Sequence, residues 1–154
     1  MSNDQQPIRV AVIGAGERGV YVLGARTAEL WRQTGIRITV LCDINRERAE
    51  EGKKYLEARY AEHGLQIEIE TETDFRRAIA RSDVDSVFIT NYTSAHREPT
   101  IAAIQAGKQV YLDKPMATTI EDADAMIAAE ADAERPLIMG FDRTASSSRR
   151  SSSA

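Results

Sequence analysis

The sequence predicts an α/β fold, a doubly wound parallel sheet, on three observations. Short apolar runs rich in β-branched residues alternate with longer segments of helical period, the pattern of strand–helix–strand units. Runs such as "VFIT" and "VYL" are apolar at consecutive positions, as strands covered by helices on both faces require. The first run, "IRVAVI", also hands over to a helix through Gly14, Gly16 and Gly19.

Taken in order, the apolar runs place strands at Ile8–Ile13, Arg37–Cys42, Ser86–Thr90, Gln109–Leu112 and Pro136–Met139. The segments between them read as helices at Arg18–Gln33, Arg46–His63, Asp74–Ala80, Ala95–Ala106 and Thr119–Ala133. In "QIEIET", Ile67 and Ile69 alternate with polar residues, which suggests a further strand at an edge of the sheet. Gly107 after "IAAIQA" is placed to end a helix in the left-handed conformation. Thr118 with Glu121 three residues later matches a capping box, and Ile120, Ala123, Ile127 and Ala131 then mark one apolar face.

The glycines form G-x-G-x-x-G, a weak motif alone but here set between a strand and a helix, as a Rossmann-type dinucleotide-binding fingerprint requires. Gly14 permits the tight turn, Gly16 lets a pyrophosphate approach the backbone, and Gly19 lets the helix pack closely on the strand. The helix start then presents free N–H groups to the anion. The second strand ends in "VLCD", which puts Asp43 24 residues after Gly19, near the spacing of a ribose-binding acid. Its charge favours NAD over NADP by repelling a 2′-phosphate. Arg46 and Arg48 follow, and an arginine there would neutralise that phosphate, so NADP stays open. Asp43 could also serve simply as N-cap of the helix starting near Arg46.

Lys114 follows the strand ending at Leu112, which puts it beyond the carboxyl end of a strand, where open parallel sheets bind ligands. A lysine there can hydrogen-bond a substrate hydroxyl or carbonyl, and can act as a base only if burial lowers its pKa from about 10.4. The alternative is a solvated lysine before the turn residue Pro115.

Four stretches in order, "VAVIGAGERG", "VLCDINRERAE", "DVDSVFITNYTSAHREPTIAAIQAGKQVYLDKP" and "LIMGF", resemble the Gfo/Idh/MocA oxidoreductases over about residues 8–141. The family pattern has Glu-Lys-Pro where this chain has Asp113-Lys114-Pro115, and a proline after the strand-ending Thr90 where this chain has Asn91 and Tyr92. The resemblance implies Lys114 as the catalytic or substrate-binding lysine. It implies a place near the dinucleotide for Glu17, Arg18, Thr90, Asn91, Tyr92, His96 and Asp113. For His96 the competing reading is a first-turn helix residue without a chemical role. By the same resemblance the activity is NAD(P)-dependent oxidation of a sugar, inositol or related polyol. A non-catalytic nucleotide-binding regulator and an NAD-dependent glycosidase branch are the alternatives.

With 42% hydrophobic and 29% charged residues and a formal net charge of −4, the chain lacks the footprint of a nucleic-acid binder. No apolar run approaches the roughly 20 residues of a membrane helix, and no signal peptide precedes the first strand, so a cytoplasmic location is expected. Cys42, the single cysteine, reads as a small buried hydrophobe, His63 as an ordinary helix-end residue, and no spacing suggests a metal site. Residues 1–141 are therefore expected to form one dinucleotide-binding domain. Residues 142–154, with six serines and three arginines, are expected to be a disordered tail. The second α/β domain that the resemblance implies is missing, which suggests truncation or a frameshift. The apolar surface it would cover leaves room for a homo-oligomer.

Overall fold

The computed structural model describes residues 6–140. Six parallel strands form one sheet in the order β3-β2-β1-β4-β5-β6: β1 Ile8–Ile13, β2 Ile36–Cys42, β3 Glu70–Glu72, β4 Ser86–Ile89, β5 Gln109–Leu112 and β6 Leu137–Met139. The order reverses between β1 and β4, so the chain leaves their carboxyl ends in opposite directions and opens a crevice there. The tail 142–154 lies outside the described residues.

Helices pack on both faces. A π-wound segment, Glu17–Gly24, leads into α1 (Ala25–Thr34), and with α2 (Arg46–Glu62) it covers one face over Val10, Val12, Ile38 and Leu41. The other face, through Ala11, Ile13, Val87, Ile89, Val110 and Leu112, meets α3 (Phe75–Ala80), α4 (Arg97–Gln105) and α5 (Ile120–Ala131). The pairing of β1 with β2 slips by one residue between Val10 and Ala11, where Thr39 is extra. That bulge lets Ile38 and Leu41, three apart, share a face.

Several expected boundaries move. "QIEIET" contributes only its end to β3: Ile69 is fully buried against α2's face of the sheet, and the pairing with β2 begins at Glu70. The first helix begins one residue earlier, at Glu17, and is π-wound before it becomes α-helical. The fourth is preceded by a 3₁₀ turn at Thr93–Ala95 and becomes regular at Arg97. Thr90 falls just outside β4. The N-cap of α5 is Thr119, which accepts from the Asp122 N–H at 3.1 Å, one residue later than the expected Thr118. The predicted apolar face of α5 is also corrected. Met126 is the residue fully buried, whereas Ile120 and Ile127 are 76% and 53% exposed. Alanine-rich helices carry several equivalent apolar stripes, and the position of α4 selects among them. Gly107 does adopt φ +72° at the end of α4.

Candidate dinucleotide cleft

The loop after β1 is built so that its backbone is exposed at one point and tightly packed at two others. Gly14 has φ +103°, and a Cβ there would lie 2.5 Å from the Asn91 nitrogen. At Gly19 a Cβ would collide with the Gly14 carbonyl and, at 2.5 Å, with Thr90 Oγ1. Gly16 differs: a Cβ there would meet nothing within 4 Å, because that face opens into a cleft of about 490 Å³. Thr90 ties the two halves of the crevice, its Oγ1 donating to the Gly14 carbonyl at 2.9 Å and its N–H to that of Ile13 at 2.8 Å.

Asp43 directly follows β2 and is almost buried, 7% exposed. Its Oδ2 accepts from the Ala15 N–H at 2.9 Å, and its Oδ1 from the Asn45 N–H at 2.8 Å. Arg48 Nη1 stands 3.5 Å from Oδ2. The cap of α2 is Asn45, whose side chain accepts from the Arg48 N–H, so Asp43 is not the N-cap. Two fixed donors set the carboxylate's orientation and leave part of its four-site acceptor capacity for hydroxyls entering the cleft.

Gly14, Gly16, Glu17 and Arg18 from the loop, Asp43 directly after β2, and Thr90, Asn91 and Tyr92 directly after β4 all border this one cleft. Arg46 does not; it borders a smaller, polar hollow of about 190 Å³ with Thr71, Glu72 and Arg77. Asp113 is joined to the cleft through Arg18, which donates to it from Nε at 3.0 Å and Nη2 at 2.9 Å. Lys114 is exposed beyond β5. His96 is 1% exposed beneath the β4–α4 loop, its ring nitrogens 2.9 Å from the Asn91 carbonyl and 3.2 Å from that of Met116.

The cleft also uses residues that the sequence reading did not select, Ile44, Thr73 and Phe75. Ile44 carried a signal, an isoleucine directly after the ribose-binding candidate, and it is 89% exposed at the cleft rim. Thr73 and Phe75 come from the β3–α3 connection, and no local pattern announces that this loop folds back to the β2 end.

The donor set fits a dinucleotide. The open Gly16 backbone suits a pyrophosphate, and the oriented Asp43 carboxylate suits ribose hydroxyls. Asn91 Oδ1, buried and without a hydrogen-bond partner among the described residues, has an acceptor to offer at the cleft wall. Among the described residues no group of three metal-ligating side chains occurs, and no helix is long and apolar enough to cross a membrane.

Residues 8–141 match the model of the oxidoreductase family with NAD-binding Rossmann fold. An inositol 2-dehydrogenase of Klebsiella pneumoniae is 35% identical over 137 residues, which are 88% of this chain and 37% of the relative. Inositol 2-dehydrogenase 3 of Saccharopolyspora erythraea is 33% identical, over 88% and 36% of the two chains. Among solved structures, the myo-inositol dehydrogenase of Lactobacillus casei in complex with NAD(H) and myo-inositol superposes with a TM-score of 0.75 at 24% identity. It covers 90% of this chain and 38% of that one. The chain thus spans a little over a third of the length of these relatives.

Proposed function

Because the chain belongs to the Gfo/Idh/MocA oxidoreductase family, whose NAD-binding Rossmann fold occupies its residues 8–141, we propose that it binds NAD at the carboxyl ends of β1 and β4, as the nucleotide half of an inositol, sugar or related polyol dehydrogenase. The observation that carries this reading is the bond from the Ala15 N–H to Asp43. It locks the glycine loop to the ribose-binding carboxylate beside the open face of Gly16.

In this reading Gly16 and the N–H groups opening the π-wound segment hold the pyrophosphate, and Asp43 accepts from the adenosine ribose hydroxyls. The carboxylate repels a 2′-phosphate, which favours NAD. Arg48 offsets part of that charge and Arg46 is exposed nearby, so NADP binds more weakly rather than not at all. Nicotinamide, when bound, supplies a hydride acceptor for a carbinol carbon. Lys114 hydrogen-bonds the substrate hydroxyl or carbonyl oxygen as the hydride moves.

The 154 residues bind without turnover in this reading. Hydride transfer needs the reacting carbon held about 3–3.5 Å from its acceptor, positioning worth roughly 7–11 kcal/mol, and Lys114 alone does not hold a polyol in place. The reading places the protein in the cytoplasm, with a dinucleotide and a small polyol as partners. Calorimetry with NAD and NADP, paired with absorbance of reduced nicotinamide across a panel of polyols, tests it. NAD binding with NADP weaker and no reduction is the expected result. Absence of NAD binding removes the cofactor assignment, and robust reduction removes the claim of binding without turnover.

A further inference from the structure

We propose that His96 is a positioning residue that ties the wall of the dinucleotide cleft to the loop carrying Lys114, using both ring nitrogens as donors. The inference rests on the reading of the cleft as a dinucleotide site and adds to it a physical link between cofactor and lysine.

His96 precedes α4 and is 1% exposed. Its Nε2 lies 2.9 Å from the carbonyl oxygen of Asn91, and its Nδ1 lies 3.2 Å from that of Met116. Neither carbonyl has a hydrogen to give, so a neutral ring donates to one of them and only the doubly protonated ring donates to both. Asn91 belongs to the cleft wall, and its backbone packs against Gly14 so closely that a single added methyl group would collide with it. Met116 stands two residues beyond Lys114. The ring therefore spans the gap between the β4–α4 and β5–α5 connections at the point where one touches the glycine loop and the other presents the lysine.

Local bonds hold the ring in place. The His96 N–H donates to the Thr93 carbonyl at 3.2 Å, and its own carbonyl accepts from Thr100 at 3.1 Å. The Asn91 side chain donates to the Ala95 carbonyl at 3.1 Å. The β4–α4 loop is thus closed on itself, and within it the His96 ring reaches across to Met116. A buried ring that only filled space would not need two oriented carbonyls at hydrogen-bonding distance.

Two substitutions separate the two bonds. Glutamine carries its amide nitrogen where Nε2 stands and keeps the bond to Asn91. Asparagine carries its amide nitrogen where Nδ1 stands and keeps the bond to Met116. Hydrogen exchange of segments 90–95 and 113–118 is measured in wild type, His96→Gln and His96→Asn, with NAD affinity by calorimetry. His96→Gln is expected to speed exchange in 113–118 by about tenfold, the loss of one hydrogen bond, and to leave NAD affinity within about twofold. His96→Asn is expected to speed exchange in 90–95 and to weaken NAD by about tenfold. Loosening of both loops alike, or of neither, overturns the proposal and leaves His96 a packing residue. Nitrogen-resolved NMR of the wild-type ring decides the matter if a variant fails to fold: two ring N–H signals support the bridge, and one bare nitrogen overturns it. Wild-type chain that fails to bind NAD while the exchange split persists counts against the dinucleotide reading and not against the bridge.

Discussion

Arg18 and Asp113, 95 residues apart in sequence, meet in a two-bond ion pair that joins the glycine loop to the end of β5. Asp113 is 8% exposed at its side chain and Arg18 44%. Removing the arginine strands a nearly buried carboxylate. Arg18→Ala is therefore expected to cost about 1–2 kcal/mol, less than a fully buried pair because water reaches Arg18. Arg18→Lys should recover only part of it, since an ammonium lacks the planar fork. Urea denaturation of the three proteins checks this, and equal stability of wild type and Arg18→Ala would show the pair to be without consequence.

The ion pair also marks the boundary of what the sequence alone makes legible. The sheet, its parallel strands and the glycine turn follow from local pattern, because consecutive apolar residues and a G-x-G-x-x-G between strand and helix have few structural interpretations. Asp113 could be selected only by resemblance, and its bond to Arg18 spans most of the chain. Likewise no periodicity distinguishes Met126 from Ile127 on α5, whose buried side is chosen by packing on α4. Ile67 and Ile69 read as part of an edge strand because they alternate with polar neighbours; β3 does lie at the edge, but its pairing begins only at Glu70, because the chain at Ile69 is still approaching the sheet and packs that side chain under α2.

The glycine loop separates binding from folding. Gly16→Val adds a side chain to open cleft space, so stability should change by less than about 1 kcal/mol while NAD binding is lost. Gly14→Ala introduces a Cβ at φ +103° and 2.5 Å from the Asn91 nitrogen, and should destabilise the fold by about 2 kcal/mol or more. Thermal melts with and without NAD separate the two. A folded Gly16→Val protein with wild-type affinity would refute the pyrophosphate assignment.

Cys42 should be chemically quiet. It is 2% exposed at the end of β2, and burial, aided by the nearby Glu72 and Asp43 carboxylates, pushes its thiol up to about 12. The nucleophile is the thiolate, so iodoacetamide at mildly alkaline pH should label Cys42 far more slowly in the folded chain than in urea. Equal rates would mean that the end of β2 opens freely.

Acid sensitivity should involve Asp85, at the amino end of β4. It accepts from the Arg9 backbone N–H at 2.9 Å and pairs with the Arg9 guanidinium at 3.0 Å, which holds its carboxyl below the usual carboxylate range. A depressed native value means the unfolded chain takes up the proton first. The contribution is complete above the unfolded value of about 4 and is lost as pH falls through the native one. Asp85→Asn should lower stability at neutral pH and flatten its fall below about pH 4. Denaturation midpoints measured from acidic to neutral pH check this, and parallel curves for the two proteins would assign the acid limb to other carboxylates.

Asp43 performs two tasks that one substitution confounds and two resolve. Its carboxylate orders the loop through the Ala15 and Asn45 N–H groups, and in the proposed complex it also accepts from ribose hydroxyls. Asp43→Ala leaves both backbone donors without their acceptor, at a cost of about 1–3 kcal/mol, and removes the charge that disfavours a 2′-phosphate. NAD affinity should therefore fall by more than that for NADP, and Arg48, released from its carboxylate partner, becomes available to a phosphate. Asp43→Asn keeps one oxygen able to accept while removing the charge. Its stability should lie nearer wild type, while its preference between the cofactors should shift toward NADP as in the alanine variant. Paired urea titrations and calorimetry with NAD and NADP give four numbers per protein. Stability loss in Asp43→Ala with an unchanged NAD-to-NADP ratio in both variants would leave Asp43 as a structural clasp and remove it from the cofactor site.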